Sequence, residues 1–259
     1  MMNFRDIKIK SKISDLMRIG GPWDGGYVVS KTAVEAATRL YTYGIGYDSS
    51  FEKHFAGLYP DKKIYMYDNT YNNPDLANIE LSKVTSDYGN IFYNTKEGLW
   101  PTSITKKNIY SNTFFKHVAE NKDENENIYL KMDIEGHELS FFQSILDYTS
   151  ELKNVVGLSV EFHYVRLDDI DLLSCIVGIW ENLLKNYDIV HISGNNNFGL
   201  EIINDIEFPF LPEISFIRKD LNPATKESSR TYPLEGLDFK NVPENPDLHF
   251  TIGKPVKSK

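Results

Sequence analysis

The sequence predicts an α/β protein built on a seven-stranded, mostly parallel sheet whose last strand runs antiparallel. Three observations predict it. Seven short segments are rich in β-branched and aromatic residues and end at turn residues. Helical patterns lie between several of them, which implies parallel strands joined by right-handed crossovers. The last two strands are joined by an irregular stretch (GNNNFGLEIINDIEFPFLP) with no clear amphipathic helix, so the final pair is expected to be antiparallel.

The strand segments are RLYTYGIG (39–46), KIYMYD (63–68), NIFYN (90–94), NIYLKMD (127–133), VVGLSVEF (155–162), YDIVHIS (187–193) and EISFIRK (213–219). Several are apolar almost throughout, as in a sheet covered on both faces. A helix is expected in SFEKHFAGLYP, between the first two strands. A second follows the fourth strand, with Leu139, Phe142, Ile145 and Leu146 at helical spacing. A third follows the fifth, with Ile170, Leu173, Ile176, Val177, Trp180 and Leu184 on one face. In GGPWDGGYVV (20–29), Tyr27, Val28 and Val29 read as a strand leaving a glycine turn.

The chain of 259 residues, with 41% hydrophobic and 13% aromatic residues, suffices for one large domain and argues against disorder. Residues 1–219 are assigned to that domain, with 1–38 as a cap segment within it. Residues 220–259, rich in proline and charge, are expected to wrap it as an irregular extension, with one strand at HFTIG. A net charge of −9 argues against a nucleic-acid binder, which needs a basic footprint. The single cysteine, Cys175, sits in an apolar helical stretch and reads as a core thiol. The charged N-terminus carries no signal-peptide core, and no run of about 18 apolar residues suggests a membrane span, so a cytoplasmic protein is expected.

The turn in YTYGIGYDSSFE carries Gly44 and Gly46, which allow close approach of a ligand beyond the strand end. Ser49 stands where a dinucleotide fingerprint has its third glycine. Asp48, inside the turn, would repel a pyrophosphate and welcome a cationic ligand. Asp68 ends the next strand, followed by Asn69, at the position that reaches a ribose in doubly wound sheets; the alternative is a loop cap. Glu97 follows the third strand, where the chain either frames an adenine or joins the core.

KMDIEGHE (131–138) ends an apolar strand in charge. If the extension persists, Lys131, Asp133 and Glu135 share one side. Glu138 suits the positive end of the following helix. The next strand ends in Glu161 and His163, and the sixth offers His191, Asn195 and Asn196. These strand ends should share one rim. His163 is the leading general base, with His191 and Asp133 as rivals. Asp133, Glu161 and His163 include ligand types for a divalent metal, but the set is too unspecific to assert one.

DGGYVV (24–29), GIGYDSSFE (44–52), Asp68 and above all KMDIEGHE resemble the FkbM-like class of S-adenosylmethionine-dependent methyltransferases, over roughly residues 17–219. The resemblance implies a Rossmann-like class I methyltransferase sheet of seven strands. It implies that Gly44, Gly46 and Asp48 lie by the methionine half of the cofactor, Asp68 by its ribose, and Asp133 at the methyl-transfer site. Asp24 and its neighbouring glycines either form a plain hairpin turn or close over the methionine half. The expected activity is methyl transfer from S-adenosylmethionine to a hydroxyl of a small polar acceptor: a sugar, a nucleotide-linked intermediate or a polysaccharide-tailoring substrate. Alternatives are N-methylation, a NAD-dependent oxidoreductase, or a binding protein without activity. The expected partner is a small polar substrate, with no nucleic acid and no membrane; a homo-oligomer is compatible with the sequence.

Overall fold

The computed structural model describes residues 7–68, 91–94, 114–145, 152–163, 165, 170–203 and 206–252. The chain opens with an antiparallel hairpin of β1 (Leu16–Ile19) and β2 (Tyr27–Ser30), in register Ile19 to Tyr27. The sequence shows β2 clearly. Its partner β1 is four residues long with no alternation, and only the pairing reveals it.

The main sheet holds β3 (Arg39–Tyr43), β4 (Lys63–Tyr67), β5 (Ile91–Asn94), β6 (Ile128–Met132), β7 (Val155–Glu161), β8 (Tyr187–Gly194) and β11 (Pro212–Arg218), in the order β5-β4-β3-β6-β7-β11-β8. The first five strands in that order are parallel. β11 is antiparallel to both β7 and β8, so six strands share one sense and the seventh is inserted between two of them. The order reverses between β3 and β6, where an open α/β sheet leaves a crevice at the carboxyl ends of its strands.

Strand alternation divides the core in two. Tyr41, Tyr43, Tyr65 and Tyr67 face the same side as Leu130, Met132 and Leu158. Helices Phe114–Glu120, His137–Ile145 and Ile170–Asn186 contribute Phe114, Phe142 and Trp180 to that layer. Leu40, Ile64, Met66 and Tyr129 face the other side, under the β1–β2 hairpin and helices Lys31–Ala36 and Ser50–Leu58. Cys175 is half-buried at the edge of the first layer, with Gln143 Nε2 at 2.9 Å from its sulfur.

The stretch expected to be irregular between the last two strands contains a hairpin of β9 (Leu200–Ile203) and β10 (Ile206–Pro209). The strands are short and carry mixed polarity, so neither stands out before they pair. Residues 219–252 run back across the domain. Asn222 Nδ2 donates to Lys10 O at 2.9 Å, Arg230 Nη1 to Ser11 Oγ at 2.8 Å, and β12 (Thr231–Tyr232) pairs with β13 (Phe250–Thr251). Among the described residues, no helix is long and apolar enough to cross a membrane.

Candidate active site at the carboxyl ends of the strands

β3 runs into a tight turn. Gly44 has φ +75°, and its amide donates to Tyr67 O at 3.1 Å while Asp133 N donates to Tyr43 O at 2.9 Å. A β-carbon at Gly44 would fall on the backbone carbonyl of Asp133, so the β3 and β6 exits meet there with no room for a side chain. Asp68, buried at the end of β4, turns its Oδ2 onto this turn and accepts from Ile45 N at 2.8 Å and Gly46 N at 2.9 Å. Asp68 therefore clamps the glycine turn, and one of its oxygens is already committed to the chain.

Asp48 does not face an open turn. Its Oδ1 accepts from Ser50 N at 2.7 Å, satisfying a free amide at the start of the following helix. A β-carbon on Gly25 would strike its carboxylate, so the 20–26 loop lies directly against it. That loop is held from below. Arg18 donates to Gly21 O at 2.8 Å and to Trp23 O at 2.9 Å, and Gly21 N donates to Ser50 Oγ at 2.8 Å. Arg18 is thus a scaffold for the loop. Asp24, exposed at the loop's tip, accepts from Asn241 Nδ2 at 3.0 Å.

The charge in KMDIEGHE has two destinations. Lys131 goes inward: it is 2% exposed, donates to Gly44 O at 3.2 Å, lies 3.9 Å from buried Glu52 and sits 5.2 Å from the Tyr27 ring centre. Burial pulls its pKa down, but Glu52 and Asp133 outweigh this and raise it. Lys131 supports the turn from beneath, which corrects its expected place on the rim. Lys131→Met is expected to cost about 3 kcal/mol by stranding Glu52. Lys131→Met combined with Glu52→Leu should recover most of that loss in urea unfolding. Equal losses for the single and double variants would show that the pair is not coupled.

Asp133, Glu135 and Glu138 go to the rim, but not through strand alternation. Glu135 and Gly136 have φ of +56° and +96°, so the extension ends and the chain turns into the helix. Glu138 is buried; Oε1 accepts from Ile134 N at 2.7 Å and Oε2 from Gly136 N at 3.0 Å. Beyond any favourable placement on the helix dipole, it closes the loop and lies 3.1 Å from His163 Nδ1. The other imidazole nitrogen, Nε2, faces Glu135 Oε2 at 3.3 Å, Glu161 Oε2 at 3.4 Å and Asp133 Oδ1 at 3.9 Å. Asp133 Oδ2 accepts from Tyr27 OH at 3.0 Å, and Glu161 Oε1 from Asn195 Nδ2 at 3.0 Å.

Electrostatics follow from this crowding. Burial lowers the His163 pKa, but its bond to Glu138 and the charges of Glu138, Asp133 and Glu135 raise it overall. His163 therefore holds a proton more tightly than a free imidazole does. Burial first, then the charges of Asp133 and Glu213, push Glu161 well above the carboxylate range. Glu213, on β11 opposite Glu161, is pushed up to about 7, mainly by burial.

Two expected rim residues are elsewhere. His191 is buried under the C-terminal segment, with Nε2 2.7 Å from Asp238 and its ring against Tyr232. Asn196 anchors that segment, donating to Val242 O at 2.9 Å and accepting from Val242 N at 2.8 Å. Asn69 and Glu97 lie outside the described residues. Tyr27, Glu213 and Asn241 were not singled out for the site. Asn241 bridges Asp24 and Glu213, at 3.0 and 2.7 Å, and closes the rim from the C-terminal side. No local pattern marks it, because its partners lie 217 and 28 residues away.

No family model matches the chain, and no curated protein sequence matches it. Solved structures similar to it include three described as methyltransferases or fibrillarins. Aeropyrum pernix fibrillarin, with natively bound S-adenosyl-L-methionine, is 13% identical over 71% of this chain and 68% of its own, with a TM-score of 0.40. The Methanococcus jannaschii fibrillarin pre-rRNA processing protein is 13% identical over 81% and 87%, with a TM-score of 0.41. A Thermotoga maritima S-adenosylmethionine-dependent O-methyltransferase is 8% identical over 71% and 59%, with a TM-score of 0.39. These likenesses are shallow.

One expectation is corrected at this point. A small polar partner and the exclusion of nucleic acid do not stand, because a pre-rRNA processing protein is among the similar structures. The physical reason is that net charge is a sum over the whole surface. Lys153, Lys185, Arg218 and Lys219 line one groove of this acidic chain.

Proposed function

We propose that the chain is an S-adenosylmethionine-dependent methyltransferase of the FkbM-like class, acting on a hydroxyl of its acceptor. The observation that carries the reading is one juxtaposition. A glycine turn clamped by Asp68 lies against the backbone of Asp133, whose side chain faces a carboxylate–imidazole cluster. Both lie at the carboxyl ends of parallel strands, where open α/β sheets bind ligands.

The residues fit such a cofactor. Its sulfonium is cationic, and Asp133 and Glu135 concentrate negative charge beside the turn. When bound, the cofactor would supply an electrophilic methyl group for in-line displacement. The Gly44–Asp48 turn would hold its methionine half, with Asp24 and the 20–26 loop closing over it. Asp68 would meet a ribose hydroxyl beside the turn that it clamps. Asp133 would take the acceptor's proton at Oδ1, because Tyr27 fixes Oδ2. His163, held by Glu138, would balance the carboxylates and keep Asp133 aimed.

A second reading is methylation of an amine. The carboxylates of Asp133 and Glu135 would favour a cationic acceptor.

The test is calorimetric titration of the ligand-stripped protein with S-adenosylmethionine, S-adenosylhomocysteine and NAD. The first two should bind saturably and NAD should not. Binding of NAD alone would overturn the reading. Methyl transfer to hydroxyl- and amine-bearing acceptors then separates the two readings.

A further inference from the structure

We propose that Asp133, Glu135, Glu161 and His163 form a divalent-cation site. Among the described residues, ligand-type atoms of Asp133, Glu135 and His163 all lie within 4.8 Å of one another. His163 Nε2 is 3.3 Å from Glu135 Oε2, 3.4 Å from Glu161 Oε2 and 3.9 Å from Asp133 Oδ1. An ion with bonds of about 2.0–2.2 Å separates adjacent donors by about 3.0–3.6 Å, close to the spacing of His163 Nε2 from its carboxylates, with Asp133, Glu135 and His163 as the central set and Glu161 at its edge.

The outer atoms of the same groups are held by other residues. Glu138 lies against His163 Nδ1, Tyr27 donates to Asp133 Oδ2, and Asn195 donates to Glu161 Oε1. A carboxylate behind a ligating imidazole is the usual support for a metal-bound histidine. Glu161 is 4% exposed and its carboxyl group contacts that of Asp133. A buried carboxyl against a part-exposed one favours positive charge between them, which an ion supplies more fully than one proton. Three carboxylates and one imidazole suit Mn2+, Fe2+ or Zn2+ better than Ca2+.

The site stands on this geometry and does not rest on the methyl-transfer reading. Under that reading, the ion would draw the acceptor hydroxyl to the strand ends and make it easier to deprotonate, and Asp133 Oδ1 would then serve the ion as a ligand in place of acting as the base.

The test uses the full chain, stripped with a chelator and titrated with Mn2+ by calorimetry and electron paramagnetic resonance. One saturable site is expected. His163→Ala and Glu135→Gln should each weaken it at least about tenfold. The Glu135 side chain is 75% exposed, so its variant tests the site even if His163→Ala does not fold. No saturable uptake by the parent protein, or undiminished uptake by Glu135→Gln, would overturn the proposal. Parallel titration with S-adenosylmethionine separates the two ideas: loss of cofactor binding with Mn2+ uptake retained would sink only the methyltransferase reading.

Discussion

Gly44→Ala is expected to destabilise the protein by about 2–5 kcal/mol. Two costs add. A non-glycine residue at φ +75° costs about 1–2 kcal/mol. The new β-carbon would also fall on the Asp133 carbonyl, which belongs to backbone and cannot rotate away. Separating the β3 and β6 exits is an overpacking cost of about 1–3 kcal/mol. Gly46→Ala is the control. Its φ is +56°, but no atom lies within 4 Å of the added carbon, so about 1 kcal/mol is expected. Urea unfolding of the two variants isolates the contact with Asp133. Equal losses would mean that the two strand ends can part freely, and the turn would lose its claim to position Asp133.

Glu138→Ala is expected to have the second largest effect. The side chain is 0% exposed and bonds Ile134 N and Gly136 N, with His163 Nδ1 at 3.1 Å. Bonds to a charged group contribute about 1.5–3 kcal/mol each and do not add fully, so a loss of about 3–4 kcal/mol is expected. The loop carrying Glu135 would open first, because Glu135, at φ +56°, is held against its own preference. Amide exchange at Ile134 and Gly136 should accelerate well before global unfolding. Under the proposed function, turnover should also fall, because His163 loses its orienting partner. Unchanged exchange at both amides would show that the loop is held by something else.

The resemblance in KMDIEGHE pointed to the strand end that carries most of the candidate site. It did not show how the cluster is assembled. Asp133 and His163 belong to neighbouring strands, and parallel pairing of β6 and β7 brings them together. Strand alternation correctly separated Met132 from Lys131, yet Lys131 points into the layer under the hairpin rather than to the rim. Its cation there depends on Glu52, from a different helix. His191 shows the same limit. A histidine at a strand end reads as a rim residue, but Asp238, 47 residues later, draws it under the C-terminal segment.

The sequence by itself determined the seven strand segments, the turn glycines and the charged end of β6. Each rests on local physics: side chains alternate along a strand, helices repeat every three to four residues, and only glycine enters a tight left-handed turn at little cost. The tertiary structure alone decided the partners. It set Tyr27 on Asp133, 106 residues away, Asp68 on the Gly46 amide, and Asn241 between Asp24 and Glu213. It also decided which charges are buried and which meet. Those choices depend on chain segments that approach only when both sheet faces are packed, and no local pattern in the chain encodes that approach.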